Sequence, residues 1–183
     1  LNLTRGMHIQ KDNLMITRST EMSLYILSRL LISPGDIVLV GSLSLFTVNM
    51  VFQKAAAQVQ TVPVDAEGLQ IEYIREQYRP GEIRLLYLMP NHQYPTTVYL
   101  SAQRRVELLS LAKEYGFVII EDDYDYDFQF ERVLAMPLAS VDTEGMVIYL
   151  GSFGKSLAPA FRMGFVVGPA DIMLEMRKYL GII

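Results

Sequence analysis

The chain has 183 residues, of which 51% are hydrophobic and 20% are charged. This composition supports a sizeable buried core and excludes intrinsic disorder, which requires low hydrophobicity and a high net charge. The formal net charge of −4 argues against this segment holding a nucleic-acid duplex by its own field. With no cysteine, disulfides and thiolate metal sites are excluded, and two histidines make a histidine-based metal centre a poor candidate.

Apolar runs typical of strands alternate along the chain with segments of helical periodicity. The pattern predicts helices at 20–32, 45–58, 69–78, 101–115 and 171–180. It predicts short strands, several of them apolar enough to be buried on both faces, at 37–40, 61–64, 84–88, 117–120, 146–150 and 165–167. This alternation predicts an α/β domain with three αβα layers and a mostly parallel sheet.

The fourth predicted helix has a clear start and a clear end. Ser101 is a good N-cap, and Gly116 follows the last helical residue. The spacing of Val106, Leu109 and Ala112 places these residues on one face of the helix.

In such folds ligands bind outside the carboxyl ends of the strands, so the residues after each strand are the candidates for a site. The first candidate is the acidic run Glu-Asp-Asp-Tyr-Asp-Tyr-Asp at 121–127. Three interpretations are open: a solvated acidic loop, an Asp-x-Asp pair of Asp123 and Asp125 that binds Mg²⁺, or a single buried aspartate that holds a protonated ring nitrogen.

Two further segments follow predicted strands. In the segment 151–156, Gly-Ser-Phe-Gly-Lys-Ser, Lys155 stands among small residues, and Arg162 follows seven residues later. Two cations so close together suit amine and phosphate chemistry. The alternative is a flexible loop with an exposed lysine. It is not a P-loop, because Tyr149 stands where that motif needs glycine. Met-Pro-Asn-His-Gln-Tyr-Pro-Thr at 89–96 is a polar loop fixed by two prolines, or merely a rigid turn.

Together, in this order, the three segments resemble the large domain of fold-type I pyridoxal-phosphate (PLP) enzymes, the class I/II aminotransferases. The run at 121–128 is most similar to the aminotransferase-like domain of the MocR branch of GntR-type transcription regulators, which carry a winged-helix DNA-binding domain ahead of it. The resemblance begins near Asn13 and continues to the end of the chain. It implies that residues 1–183 are the core of a PLP-binding large domain, a piece of a longer protein without the small C-terminal domain or the winged helix.

The resemblance implies roles for individual residues. Lys155 stands where the family has its Schiff-base lysine, the catalytic residue. Asp122 matches the aspartate that pairs with the pyridine nitrogen of the cofactor. Tyr124 matches the tyrosine that hydrogen-bonds the 3′ oxygen of the ring.

A second group of positions matches the family's phosphate ligands. Ser152 and Arg162 are two of them. Ser19 and Thr20 match the loop that opens a helix with free N–H groups toward the phosphate, as a helix N-terminus suits an anion. Glu21 departs from the family, because a carboxylate beside a phosphate would repel it unless it points away.

Other departures concern the ring and the polar loop. Leu45 occupies the position of the family's ring-stacking aromatic, so either Phe46 replaces it or the stacking is lost. Thr97 stands where the family has glycine. The residues Asn91 to Tyr94 leave open which side chain contacts the ring.

Two functions therefore stand side by side, and the sequence leaves open whether the protein is an enzyme. We expect the effector-sensing domain of a cytoplasmic, homodimeric transcription regulator that binds PLP and an amino compound and contacts DNA only through a domain outside this chain. The alternative is an active aminotransferase, and a Mg²⁺-dependent phosphatase is a remote third. No apolar run reaches the length of a membrane helix, so we expect no membrane contact.

Overall fold

The computed structural model describes residues 1–124, 126, 135–153 and 163–182. Within these ranges the α-helices are α1 (Thr20–Leu31), α2 (Phe46–Lys54), α3 (Ile71–Gln77), α4 (Ala102–Tyr115) and α5 (Ala170–Leu180). The strands are β1 (Leu14–Thr17), β2 (Ile37–Gly41), β3 (Gln58–Val62), β4 (Val64–Asp65), β5 (Gly68–Leu69), β6 (Ile83–Leu88), β7 (Val118–Asp123), β8 (Val147–Ser152) and β9 (Gly164–Val167). Short 3₁₀ helices span Lys11–Asn13 and Leu138–Ser140. No helix in the described ranges is long and apolar enough to cross a bilayer.

Seven of these strands form one sheet in the order β1-β9-β8-β7-β6-β2-β3. Five neighbouring strands, β8 to β3 in that order, run parallel. At the other edge β9 lies antiparallel to β8, and β1 lies antiparallel to β9. The predicted mostly parallel sheet is confirmed, and the antiparallel edge with β1 is an addition that the sequence did not reveal.

Helices cover both faces of the sheet. One apolar cluster joins it to α1, α2 and α5, through residues such as Leu27, Phe52 and Met173. A second cluster joins the opposite face to α3 and α4, through residues such as Ile74 and Leu111. The three-layer αβα arrangement is therefore confirmed, and the central strands are buried on both sides as parallel strands usually are.

Helix α4 has the predicted caps and a different buried face. The Ser101 hydroxyl accepts from the Arg104 amide at 3.4 Å, and Gly116 adopts φ +76° just past the end. The expected face is wrong at Val106, which is 70% exposed. Arg105 is buried in its stead, because its guanidinium donates to main-chain carbonyls, including that of Leu100 at 2.9 Å. The spacing of apolar residues in the sequence does not indicate that an arginine such as Arg105 is buried.

The second helix is shorter than predicted. It ends at Lys54, and Ala56 takes a left-handed conformation with φ +62°. Strand β3 then begins at Gln58, three residues before the predicted strand 61–64. The sequence did not reveal this break, because alanine is an ordinary helix former.

Candidate functional site

A cavity of about 420 Å³ opens at the carboxyl edge of the parallel strands. Its described walls come from the first turns of α1 and α2, the loop after β6 and the end of β7. Thr20, Asp122 and Tyr124, three of the predicted cofactor ligands, lie on these walls. The fold therefore brings together residues that are about 100 positions apart, as expected for a site at the carboxyl ends of strands.

Asp122 lies inside strand β7, and this explains why its acidic neighbours do not share the cavity. Successive side chains of a strand point to opposite faces, so Glu121 and Asp123 point away from the face that Asp122 occupies. Asp122 is 8% exposed, and the hydroxyl of Tyr87 donates to its Oδ2 at 2.6 Å. Burial, together with the charge of Asp122, raises the pKa of Tyr87 well above its ordinary value, so Tyr87 stays a donor.

Glu121 anchors another part of the chain. It is fully buried, and its two carboxylate oxygens accept from the backbone amides of Leu138 at 2.8 Å and Ala139 at 3.0 Å. Burial raises the pKa of Glu121 to about 8. This carboxyl group therefore holds the 3₁₀ helix Leu138–Ser140 against β7.

Asp123 is equally engaged on the same side of the strand. Its Oδ2 accepts from the hydroxyl of Tyr149 at 2.8 Å, and its Oδ1 accepts from the amide of Asn91 at 3.2 Å. Of the acidic pair considered for Mg²⁺, Asp123 therefore faces the interior and Asp125 lies outside the described residues. No group of three or more acidic or histidine side chains in the described ranges could hold a metal ion.

The start of α1 forms a second wall of the cavity. The Ser19 hydroxyl accepts from the Met22 amide at 3.1 Å and so fixes the first turn, whose remaining N–H groups have no partner within the helix. Gly164 of β9 lies directly behind this turn, since a Cβ there would be 2.8 Å from backbone atoms of Ser19 and Thr20. Strand pairing places Ser152 beside Gly164 in the same row.

The remaining predicted ligands are only partly located. Ser152 ends β8, is partly buried, and is not among the described residues that line the cavity. Lys155 and Arg162 lie outside the described residues. The described strands on either side of them are β8, whose Leu150 pairs with Asp122 of β7, and β9, which begins at Gly164.

The polar loop after β6 contributes Tyr94, a residue that the sequence did not single out. Tyr94 lies on the cavity wall. Gln93 turns away and donates to the carbonyl of Leu43 at 3.1 Å, while Asn91 contacts Asp123. Among the residues 91–94, Tyr94 is therefore the one that lines the cavity.

The position of the expected stacking aromatic is also resolved. Leu45 lies on the cavity wall, whereas Phe46, the first residue of α2, is 74% exposed. At this position Leu45, and not Phe46, therefore lines the described part of the cavity. An aliphatic side chain takes that place in the wall.

The residues present fit the PLP that the resemblance implies. A buried carboxylate held by Tyr87 suits a protonated ring nitrogen, and the capped start of α1 beside Gly164 suits a phosphate. Glu21 is the exception, because it also lies on the cavity wall and adds a second carboxylate near the phosphate end.

Comparisons with known proteins identify the family of this chain. The family profile described as "Aminotransferase class I and II" matches residues 3–181. The chain is 32% identical to aromatic-amino-acid aminotransferase 1 of Thermococcus litoralis over 177 residues, which is 93% of this chain and 42% of that protein. It is 31% identical to the HTH-type transcriptional regulator TauR of Rhodobacter capsulatus, across 94% of this chain and 35% of that protein.

Among solved structures, the kynurenine aminotransferase of Pyrococcus horikoshii, crystallised in complex with PMP, superposes with a TM-score of 0.90 and 34% identity. That match covers 96% of this chain and 45% of the other. The chain thus spans less than half of the length of each of these three proteins. On the profile match and the shared fold, this chain belongs to the class I and II aminotransferase family.

Proposed function

We propose that this chain is the core of a PLP-binding, aminotransferase-like domain that senses an amino compound for a GntR/MocR-type transcription regulator. The observation that carries the proposal is the buried Asp122 carboxylate on the cavity wall, held by Tyr87 at the carboxyl edge of a parallel sheet. Pyridoxal phosphate is the cofactor to which the family and the PMP-bound structural relative point.

Each wall of the cavity would have its own task. Asp122 would hold a proton on the ring nitrogen, and Tyr124 would donate to the ring oxygen. When bound, the cofactor supplies an electron sink for the bonds at the α-carbon of an amino compound. Ser19 and Thr20 at the start of α1, with Ser152 of β8, would bind the phosphate.

Lys155 and Arg162 complete the proposed site. Arg162 would add a positive charge to the phosphate ligands. Lys155 would bond covalently to the cofactor aldehyde, because an amine among small residues can approach it closely.

A labelling experiment tests the position of the covalent bond. Full-length protein is incubated with PLP, reduced with borohydride and mapped by peptide mass spectrometry. We expect the label on Lys155, its loss in Lys155→Ala and its retention in Lys178→Ala, which alters an exposed lysine of α5 paired with Glu175. A label on another lysine, or none in the parent protein, would contradict the assignment.

The relatives support both a regulator and an enzyme. The acidic run at 121–128 and the match to TauR favour the regulator. The match to aromatic-amino-acid aminotransferase 1 favours the alternative, an enzyme that moves an amino group between an amino acid and a 2-oxo acid. For the full-length protein, amine-dependent DNA binding without turnover supports the regulator, whereas steady conversion of an amino acid and a 2-oxo acid supports the enzyme.

The wider context is part of the same proposal. We expect a homodimer in the cytoplasm, with DNA contacted only through a domain outside this chain. The net charge of −4 supports this division, because a domain that holds DNA by its own field is usually basic.

A further inference from the structure

The N-terminal segment, residues 1–10, is anchored close to the end of β7 by the buried side chains of Arg5 and Met7, while residues 2–4 are exposed. Met7 is buried in an apolar cluster with Tyr149 and Phe165. The hydroxyl of Tyr126, just past β7, donates to the carbonyl of Thr4 at 2.6 Å. The segment is therefore tied to the same strand end that presents Asp122.

Arg5 makes the most unusual contact of this segment. Although charged, it is only 4% exposed, and its guanidinium carbon lies 4.3 Å from the ring centroid of Tyr126. Its Nη1 donates to the hydroxyl of Tyr149 at 2.7 Å. Placement of a guanidinium over aromatic rings provides a cation–π contact that helps to offset its desolvation.

Tyr149 links Arg5 to Asp123 at the end of β7. Its hydroxyl accepts from Arg5 and donates to Oδ2 of Asp123 at 2.8 Å. Burial and the charge of Asp123 raise the pKa of Tyr149 above its ordinary value, so the hydroxyl keeps its proton and can act as the donor. Arg5, Tyr149 and Asp123 therefore form a directed chain of hydrogen bonds, which we call the N-terminal latch.

The far side of Asp123 is held in the same manner. Asn91 donates to its Oδ1, and the Oδ1 of Asn91 accepts from Arg105 at 2.7 Å. The buried carboxylate of Asp123 is thus linked to Arg5 through Tyr149 and to Arg105 through Asn91. Loss of one link would leave a buried charge with fewer hydrogen bonds, which is costly and would loosen the adjacent backbone.

We propose that the N-terminal latch couples the docking of residues 1–10 to the position of Asp122, with Arg5 and Tyr149 as positioning residues. The coupling acts because Asp123 and Asp122 are neighbours on β7, so the strand that the latch fixes is the strand that presents Asp122. This inference rests on the proposed function in one respect, the role of Asp122 toward the cofactor. In a regulator with its DNA-binding domain ahead of this chain, the latch lies between that domain and the cofactor site.

Hydrogen exchange of the full-length protein without PLP tests the latch directly. Tyr149→Phe removes the shared hydroxyl and keeps the ring. We expect the amides of residues 2–7 and 122–124 to exchange about tenfold faster, the size expected when one buried hydrogen bond to a charged group is lost. The matched control is Tyr78→Phe, whose hydroxyl donates to Gln60 at 2.6 Å away from the site, and it should leave both regions unchanged. If the exchange rates of residues 2–7 or of residues 122–124 are the same in Tyr149→Phe as in the parent protein, the proposed latch is wrong.

A second variant and a second measurement complete the test. Arg5→Gln removes the charge at the other end of the latch and should raise exchange in the same two regions. PLP titrations should give a dissociation constant several-fold higher for Tyr149→Phe than for Tyr78→Phe, and equal values would overturn the part of the proposal that concerns Asp122. A parent protein that binds no PLP would contradict the proposed function alone, because the exchange at residues 122–124 decides the latch without cofactor.

Discussion

Tyr87 shows how much of the candidate site depends on one hydroxyl behind it. The Tyr87 hydroxyl donates to Oδ2 of Asp122, and it supports this carboxyl group where only 8% of the residue is exposed. The unusual polarity of the run at 121–127 marked it as a candidate, and the family resemblance then assigned Asp122 and Tyr124 within it. The loop pattern left Tyr94 as one of four candidates, and Tyr87 was not singled out, since a tyrosine in an apolar strand looks like an ordinary packing residue.

We predict that Tyr87→Phe weakens PLP binding at least about tenfold, because a hydrogen bond to a charged group typically contributes about 1.5–3 kcal/mol and about 1.4 kcal/mol corresponds to a factor of ten. The measurement is a titration of full-length protein with PLP, followed by absorbance. Tyr78→Phe serves as the control, since it removes the hydroxyl of another largely buried tyrosine. Equal affinities for the two variants would show that Asp122 needs no support from Tyr87.

Thr97, which stands where the family usually has glycine, has a strained backbone conformation. Thr97 has φ +59°, in the left-handed region that a β-branched residue rarely adopts. We predict that Thr97→Gly raises the free energy of unfolding by about 0.5–1 kcal/mol, because relief of about 1–2 kcal/mol is partly offset by the freedom of glycine in the unfolded chain.

Chemical denaturation measures this change. Thr96→Gly is the matched control, because the Thr96 hydroxyl donates to the carbonyl of Gln93 at 3.1 Å and its backbone φ is not positive. That variant should lose stability. A Thr97→Gly protein that is no more stable than the parent would mean that the backbone at this position is not strained.

At the scale of elements, α1 and β9 shape the end of the cavity where we propose that the phosphate binds. Strand β9 crosses directly behind the first turn of α1, and only a glycine at position 164 leaves room for this approach. The sequence indicated both elements, with α1 within one residue of its observed bounds. It did not indicate that β9 runs antiparallel and pairs with β1, because periodicity gives the burial of a strand and not its direction.

We predict that Gly164→Ala lowers both stability and PLP affinity. Its Cβ would lie 2.8 Å from backbone atoms of Ser19 and Thr20, so the start of α1 must move, at a cost of about 1–3 kcal/mol. Gly168→Ala is the control on the same side of the sheet, because its Cβ would lie 3.3 Å from the flexible end of Met173 and at ordinary contact distances of 3.5 and 3.7 Å from side-chain atoms of Ile148. Thermal unfolding and a PLP titration measure the two effects, and similar behaviour of the two variants would contradict the close approach.

At the scale of the whole molecule, the cavity is lined by residues from well-separated parts of the chain. The chain itself spans less than half of the length of the relatives that it matches. The alternation of strands and helices made the fold predictable from the sequence. The completed function depends on how this domain is coupled to the rest of its protein. Under the proposed function, the sensing domain acts on a DNA-binding domain through a coupling free energy, and such a coupling is reciprocal.

We therefore predict that an amino compound and operator DNA change each other's affinity for the PLP-loaded, full-length protein by the same factor, in the range of about 5–150-fold that allosteric couplings typically reach. Fluorescence anisotropy of labelled DNA measures one direction, and titration of the amine with and without DNA measures the other. Lys155→Ala should remove the coupling and leave DNA binding itself in place, because the proposed DNA contacts lie in a domain outside this chain. Turnover of the amine with no DNA affinity in either protein would instead assign the chain to a catalytic aminotransferase.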